Sequence, residues 1–293
     1  MRGTQEIIKG ANFAGLPLIG YALPLAGFEA VGWPGDITPA NQLKNFSGEP
    51  DFSRVGAIPA RINDVVARYS HSPAGINNLD TGLLRSSNAM TMCAVVQGGD
   101  AWNIAISTER QWEASGSDPE EQREGIMLVV APVNIVGFSG RTAATFIIRR
   151  PRAGLASLAT MTTVPMSTEL RQSERPYFVA ATTEVDGGTG RLRPRVYIMD
   201  RDGTLLTATA AIPASAESTA PNGLVEEELA PAGVKRTITI GGMPQRPSTV
   251  NLPNNNVGFA AVHRTKTCSA DELITIFNSV NKRFAAFGLD MLD

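Results

Sequence analysis

The sequence predicts a mainly β chain: an antiparallel jelly-roll-type β-sandwich with an extended N-terminal arm and one C-terminal helix. Three observations carry this. Short apolar or alternating runs recur from about residue 76 onward, with turn residues between them. From Lys235 the chain closes as strand, strand and one capped helix. Residues 1–50 mix Pro and Gly with large apolar side chains at a density that excludes a long helix or a central strand.

In that first stretch Pro17, Pro24, Pro34, Pro39 and Pro50 alternate with Gly15, Gly20, Gly27, Gly32, Gly35 and Gly48. Phe13, Leu16, Tyr21, Phe28 and Trp33 stand among them and are the candidate assembly residues of the arm. Such apolar content is too high for a free disordered tail. An extended arm accommodates both facts, lying either on another surface or on its own domain. Residues 1–75 are accordingly set apart as arm and lead-in, and residues 76–293 as the sandwich.

Met90–Val96 is apolar on both faces, as a buried strand would be. Ala101–Ser107, Ile126–Ala131, Ala144–Ile148 and Tyr177–Val185 are further strands. Val196–Met199, Asp200-Arg201-Asp202-Gly203 and Thr204–Thr209 read as a hairpin, with Asp-Gly supplying the positive-φ turn. Ser115–Glu124 and Pro213–Gly233 are long loops of little strand character. Thr237–Ile240 and Val257–His263 are the closing strands. Ser269 and Glu272 then form an S-x-x-E capping box. Leu273, Ile276, Phe277, Val280, Phe284 and Phe287 form one apolar stripe, expected to pack on the sandwich, and Gly288 is the expected C′ residue.

Composition excludes several function classes. The 293 residues carry 26 Lys+Arg against 28 Asp+Glu, a net charge of −2, so the concentrated basic face that nucleic acid requires is not expected. The densest basic run, Arg149-Arg150-Pro151-Arg152, reads as a solvated strand end or loop rather than a phosphate site. Two cysteines, Cys93 and Cys268, do not make a disulfide framework, and two unpaired thiols are expected over a bridge. With His71 and His263 as the two histidines, no His/Cys metal spacing exists. Leu16–Leu25 is too short and too broken by Pro17, Gly20 and Pro24 to span a bilayer, and no signal peptide is visible. The chain is therefore expected to be made in a cytoplasm, without membrane insertion.

Val257–Leu289 resembles the closing segment of concanavalin A-like, laminin-G-like domains, the matching residues being Cys268, Ser269, Glu272 and Leu273. Met90-Thr91 resembles the opening of that family's first core strand, and Val196–Gly203 its strand–turn–glycine hairpin. The resemblance covers about residues 76–289. Ala260 or Ala261 stands where the family often has an acidic residue, and Arg264 and Thr265 stand where it often has tyrosine and asparagine, so no ligand or calcium site is carried over. Cofactors and metals are not expected.

Glu184-Val185-Asp186 lacks the second glutamate of a Glu-x-Asp-x-Glu glucanase strand and reads as a turn. Neither histidine has a triad signature, and Asp200-x-Asp202-Gly203 reads as a hairpin rather than half a calcium loop. No catalytic residue is assigned, and a non-enzyme is expected. Sugar binding would set an exposed aromatic ring beside amide or carboxylate groups. Trp112 with Gln111 and Glu113 is the candidate glycan-binding set. Trp102 shares strand parity with Ile104 and Ile106 and is expected in the core.

Chains that resemble this one and carry an apolar Pro/Gly arm look like tailed-bacteriophage structural proteins. The expectation is a virion component, of tail, fibre or capsid decoration, made in the host cytoplasm. Its arm would join other virion proteins and its sandwich would be displayed, in a homo-oligomer, for host-surface polysaccharide. The alternatives are a free carbohydrate-binding lectin, or a glycan hydrolase or lyase.

Overall fold

The computed structural model describes residues 25–36, 39–57, 59–71, 77–84, 87–98, 102–112, 122–132, 140–152, 155–170, 175–185, 187, 192–209, 237–244 and 254–292. Two antiparallel sheets face each other. Sheet A runs in the order β14 (Leu205–Thr209), β13 (Leu192–Met199), β12 (Pro176–Val185), β6 (Met90–Gln97), β16 (Asn255–His263), β4 (Ala67–Tyr69) and β3 (Ala60–Arg61), and β1 (Ala30–Gly32) also pairs with β16. Sheet B runs β11 (Leu155–Leu170), β10 (Arg141–Arg152), β9 (Gln122–Pro132), β7 (Asn103–Ser107), β15 (Thr237–Ile240), β5 (Asn78–Leu84) and β2 (Ser53–Val55), with β8 (Arg110–Trp112) beside β9. Among the described residues the helices are a single turn, α1 (Pro39–Gln42), and the C-terminal α2 (Ala270–Ala286).

The mainly β sandwich with one C-terminal helix is thus as the sequence predicts. β6 lacks alternation because it is buried on both faces. Met90, Met92, Ala94 and Val96 join the core between the sheets, while Cys93 and Val95 face outward under α2. β12 divides the same way, with Tyr177, Val179 and Ala181 inward and Phe178 and Ala180 under the helix. Both cysteines are buried free thiols in this second core. In the β13–β14 hairpin Gly203 adopts φ 85°, the left-handed turn the Asp-Gly pair predicts.

The capping box of α2 is complete: Ser269 Oγ accepts from Glu272 N at 3.2 Å and Glu272 Oε2 accepts from Ser269 N at 2.9 Å. The stripe Leu273, Ile276, Phe277, Val280 and Phe284 is buried on sheet A. Phe287 departs from it. It is the C-cap residue, no longer on the helical spiral, and is 39 % exposed, with Gly288 at φ 75° following as the C′ residue.

The first strands are four that the sequence reading does not contain: β1 to β4 all precede residue 76. β1 pairs Ala30–Gly32 with Val262–Ala260, β4 pairs with Asn255–Val257, and β2 pairs with β5. The division at 75/76 therefore falls inside the pairing of both sheets, because the lead-in supplies partners to β16 and β5. Phe28 and Trp33 are buried against the chain's own β16 and α2. Phe28 meets His263 edge-on at 5.3 Å, and the Trp33 ring lies 4.7 Å from Phe259. Gly35 is required here: a Cβ would fall 2.1 Å from the Val65–Val66 backbone. Phe13, Leu16 and Tyr21 lie outside the described residues.

This segment is locked to the helix by a buried ion pair. Arg283 Nη2 donates to Asp36 Oδ2 at 2.6 Å, both side chains are almost wholly buried, and the guanidinium lies 4.1 Å over the Trp33 ring. Breaking a buried pair by removing one partner leaves a charge in low dielectric. Asp36→Ala is expected to lower unfolding stability by about 3–5 kcal/mol, read by urea denaturation. A loss within about 0.5 kcal/mol would show that the pair is not the lock.

His263 sits where β16 meets this segment. Burial pushes its pKa below the ordinary value of 6.5, outweighing the nearby Glu29 carboxylate. The unfolded chain therefore binds the proton more readily, so this group's contribution is complete above pH 6.5 and lost as pH falls through the lower folded value. Stability is expected to fall as the pH is lowered below 6.5, with a smaller fall in His263→Gln, measured by thermal unfolding at a series of pH values.

Candidate functional site

At one end of the sandwich, strand termini from both sheets converge on amide side chains. β16 begins with Asn255-Asn256, β7 with Asn103 and β5 with Asn78, and β6 ends with Gln97. Asn255 joins the sheets: its Oδ1 accepts from Ile104 N at 2.7 Å, and its Nδ2 donates to Gly241 O at 2.8 Å. Asn103 and Asn256 are tied reciprocally, Asn103 Oδ1 accepting from Asn256 N at 3.1 Å while Asn103 Nδ2 donates to Gln97 O at 3.0 Å and to Asn256 O at 3.3 Å. Asn78 Nδ2 donates to Met243 O at 2.7 Å. These four asparagines are buried, and their hydrogen bonds satisfy backbone groups that the strand ends leave open. His71 closes the same end. Asn77 N lies 3.4 Å from its Nδ1, and its Nε2 lies 2.9 Å from Asn255 Nδ2 and 3.1 Å from Gly241 O.

Around this buried frame, other groups reach solvent. On the outer face of sheet A, Arg68 lies between Ala60 on β3 and Asn256 on β16. Its Nε donates to Asn256 Oδ1 at 3.1 Å, and Asn256 Nδ2 is in turn fixed on Gly98 O at 2.8 Å and Gln97 O at 3.3 Å. Asn63 Nδ2 donates to Gln97 Oε1 at 2.7 Å, while its Oδ1 caps the Val65 and Val66 amides. Trp102 precedes Asn103 and is 41 % exposed.

The exposure of Trp102 corrects the sequence reading. β7 carries a bulge: Ile104 opposes Val129 and Ile106 opposes Leu128, so Ala105 is an extra residue. The parity that appears to unite positions 102, 104 and 106 is therefore broken. Ile106 enters the core between the sheets, Ile104 joins a separate cluster with Met127, Val129 and Ile147, and Trp102 is left at the rim.

The predicted glycan set lies elsewhere. Trp112 opposes Gln122 and Gln111 opposes Arg123 on β9, whereas Asn103 opposes Val130. Eight residues of β9, roughly 27 Å at the rise of an extended strand, separate Trp112 from the amide end. Glu113 lies outside the described residues. The basic run forms the end of β10, and its Arg149 is held by the buried Glu109, with Nε 3.0 Å from both carboxylate oxygens. Glu184 binds Arg195 at 2.7 Å. Among the described residues, no group of three His, Cys, Asp or Glu side chains could hold a metal, and no helix is long and apolar enough to cross a membrane.

The Asn254-Asn255-Asn256 run ahead of an apolar strand was the legible signal for this end. Nothing in the sequence marks Arg68, whose place depends on the register of β4 against β16. The exposed ring, the oriented guanidinium and the fixed amides suit recognition of a polar molecule that has one apolar face.

No protein-family model and no characterised protein sequence matches the chain. Solved structures match at low identity. The CBM40 of a Ruminococcus gnavus IT-sialidase is 14 % identical, with a TM-score of 0.42 over 68 % of this chain and 91 % of that one. The enzymatically active domain of bacteriophage CBA120 tailspike protein 2 is 14 % identical, with a TM-score of 0.41 over 79 % of this chain and 32 % of that one. The leech intramolecular trans-sialidase is 16 % identical, with a TM-score of 0.40 over 66 % of this chain and 23 % of that one. The expectation of a non-enzyme is corrected by these matches: they include chains named as enzymes, so a sandwich of this kind does not set a chain apart from catalysis.

The two kinds of residue are separable by stability. Asn255→Leu strands Ile104 N and Gly241 O and is expected to cost about 2–4 kcal/mol. Trp102→Ala is expected to cost under about 1 kcal/mol. Urea unfolding of the two variants checks both, and equal losses would contradict the division into frame and rim.

Proposed function

We propose that the chain binds carbohydrate at the amide end of the sandwich, with Trp102 as the stacking ring. The observation that carries this reading is an exposed indole beside amides whose positions are set by a buried network. The ring covers the apolar face of a sugar. Arg68, held through Nε by Asn256, meets its polar groups from a restrained position, so little ordering is required on binding.

A virion setting is the second reading, with the chain anchored there to other virion proteins, and it rests on the Pro/Gly and apolar character of residues 1–24. Its test is deletion of residues 1–24 followed by particle incorporation. Deletion to residue 50 would also remove Trp33 and Asp36, which the fold itself uses.

Carbohydrate binding is tested by a glycan array followed by calorimetry on the strongest ligand. Trp102→Ala is expected to weaken binding by about tenfold or more, the effect of truncating an aromatic anchor, and Trp112→Ala to leave it unchanged. Affinity indifferent to Trp102 would contradict the proposed site.

A further inference from the structure

We infer that the sugar taken at this end is acidic, and that Arg68 receives its carboxylate. The inference rests on the carbohydrate-binding reading above and adds the chemical class of the ligand. Arg68 is exposed on the outer face of sheet A, and its cross-strand neighbour on the open side is Ala60, too small to cover it. On the other side its Nε is held by Asn256 Oδ1 at 3.1 Å. Asn256 is 4 % exposed and anchored by its own bonds to Gly98 O and Asn103 Oδ1.

A surface arginine ordinarily samples many rotamers. This one is exposed and tethered through Nε to a buried amide, which restrains the plane of the guanidinium and leaves its Nη groups out of that bond. Among the described residues no carboxylate pairs with it, and the neighbouring Asp64 is taken by Arg61 at 2.6 Å. An oriented guanidinium fork is the partner that a planar carboxylate fits with two parallel hydrogen bonds. Trp102 stands four residues after Gly98 in the sequence. A carboxylate meets the Arg68 fork with two parallel hydrogen bonds, where an uncharged sugar offers it single hydroxyl contacts.

The experiment is calorimetry on the full chain with an oligogalacturonate, its methyl ester, an uncharged oligosaccharide of equal length and a sialylated trisaccharide. At least one of the two acids is expected to bind about tenfold or more tighter than the uncharged probes, and the stronger acid identifies the source of the carboxylate. Arg68→Gln is expected to erase that preference with an unchanged melting temperature. Arg68→Lys, which keeps the charge but loses the fork, is expected to recover only part of it. If acid and ester bind alike, or if Arg68→Gln keeps the preference, the inference is wrong while carbohydrate binding stands. If none of the probes binds, both readings fall. The acid-against-ester comparison on the unmodified chain decides the matter even where a variant fails to fold.

Discussion

Two adjacent asparagines at the start of β16 govern the architecture of this end of the molecule. A sandwich must close where its strands stop, and each stopped strand leaves backbone donors and acceptors without ladder partners. Asn255 reaches across to sheet B and satisfies Ile104 N and Gly241 O. Asn256 stays on sheet A, satisfies Gly98 O and Gln97 O, and orients Arg68. Neighbours in a strand point to opposite faces, so one dipeptide serves both the joint between the sheets and the outer surface. The candidate site is the exposed rim of that joint, and its rigidity comes from buried groups that do not themselves reach a ligand.

At the centre of sheet A, β16 meets a second demand. β6 flanks it along one side, while β4 and β1 share the other. Its inner face fills the core between the sheets, and Phe259 and Ala261 fill the core under α2. The segment carrying Trp33 and Asp36 closes over that second core through Arg283. Residues early in the chain and residues of the last helix are thereby bound into one unit, and the apolar content of residues 25–36 serves the interior of the domain.

Much of this fold was legible because its signals are local. A capping box, an Asp-Gly turn and a run apolar on both faces each report their own surroundings, and α2, the β13–β14 hairpin and β6 follow from them. Where the deciding fact is register, the sequence is silent. β1 to β4 are two or three residues long, too short for a period, and β11 hides its 16 residues behind Thr, Ser and Pro165. The bulge at Ala105 inverts the parity argument for Trp102, so the ring expected inside stands outside. Arg68 acquires meaning only opposite Asn256. The amide frame was not legible in place, because its partners come from β4, β6, β7 and β16.

The joint between the sheets is the ligand face if a bound saccharide perturbs it and nothing else. A chemical-shift titration of the nitrogen-labelled chain with the strongest-binding oligosaccharide reads this directly. The largest changes are expected at the Trp102 indole N–H and the Arg68 Nε–H, with smaller ones through Asn103 and Asn256. Changes confined to the Trp112 end of β9, or spread evenly without a maximum at Trp102, would contradict it.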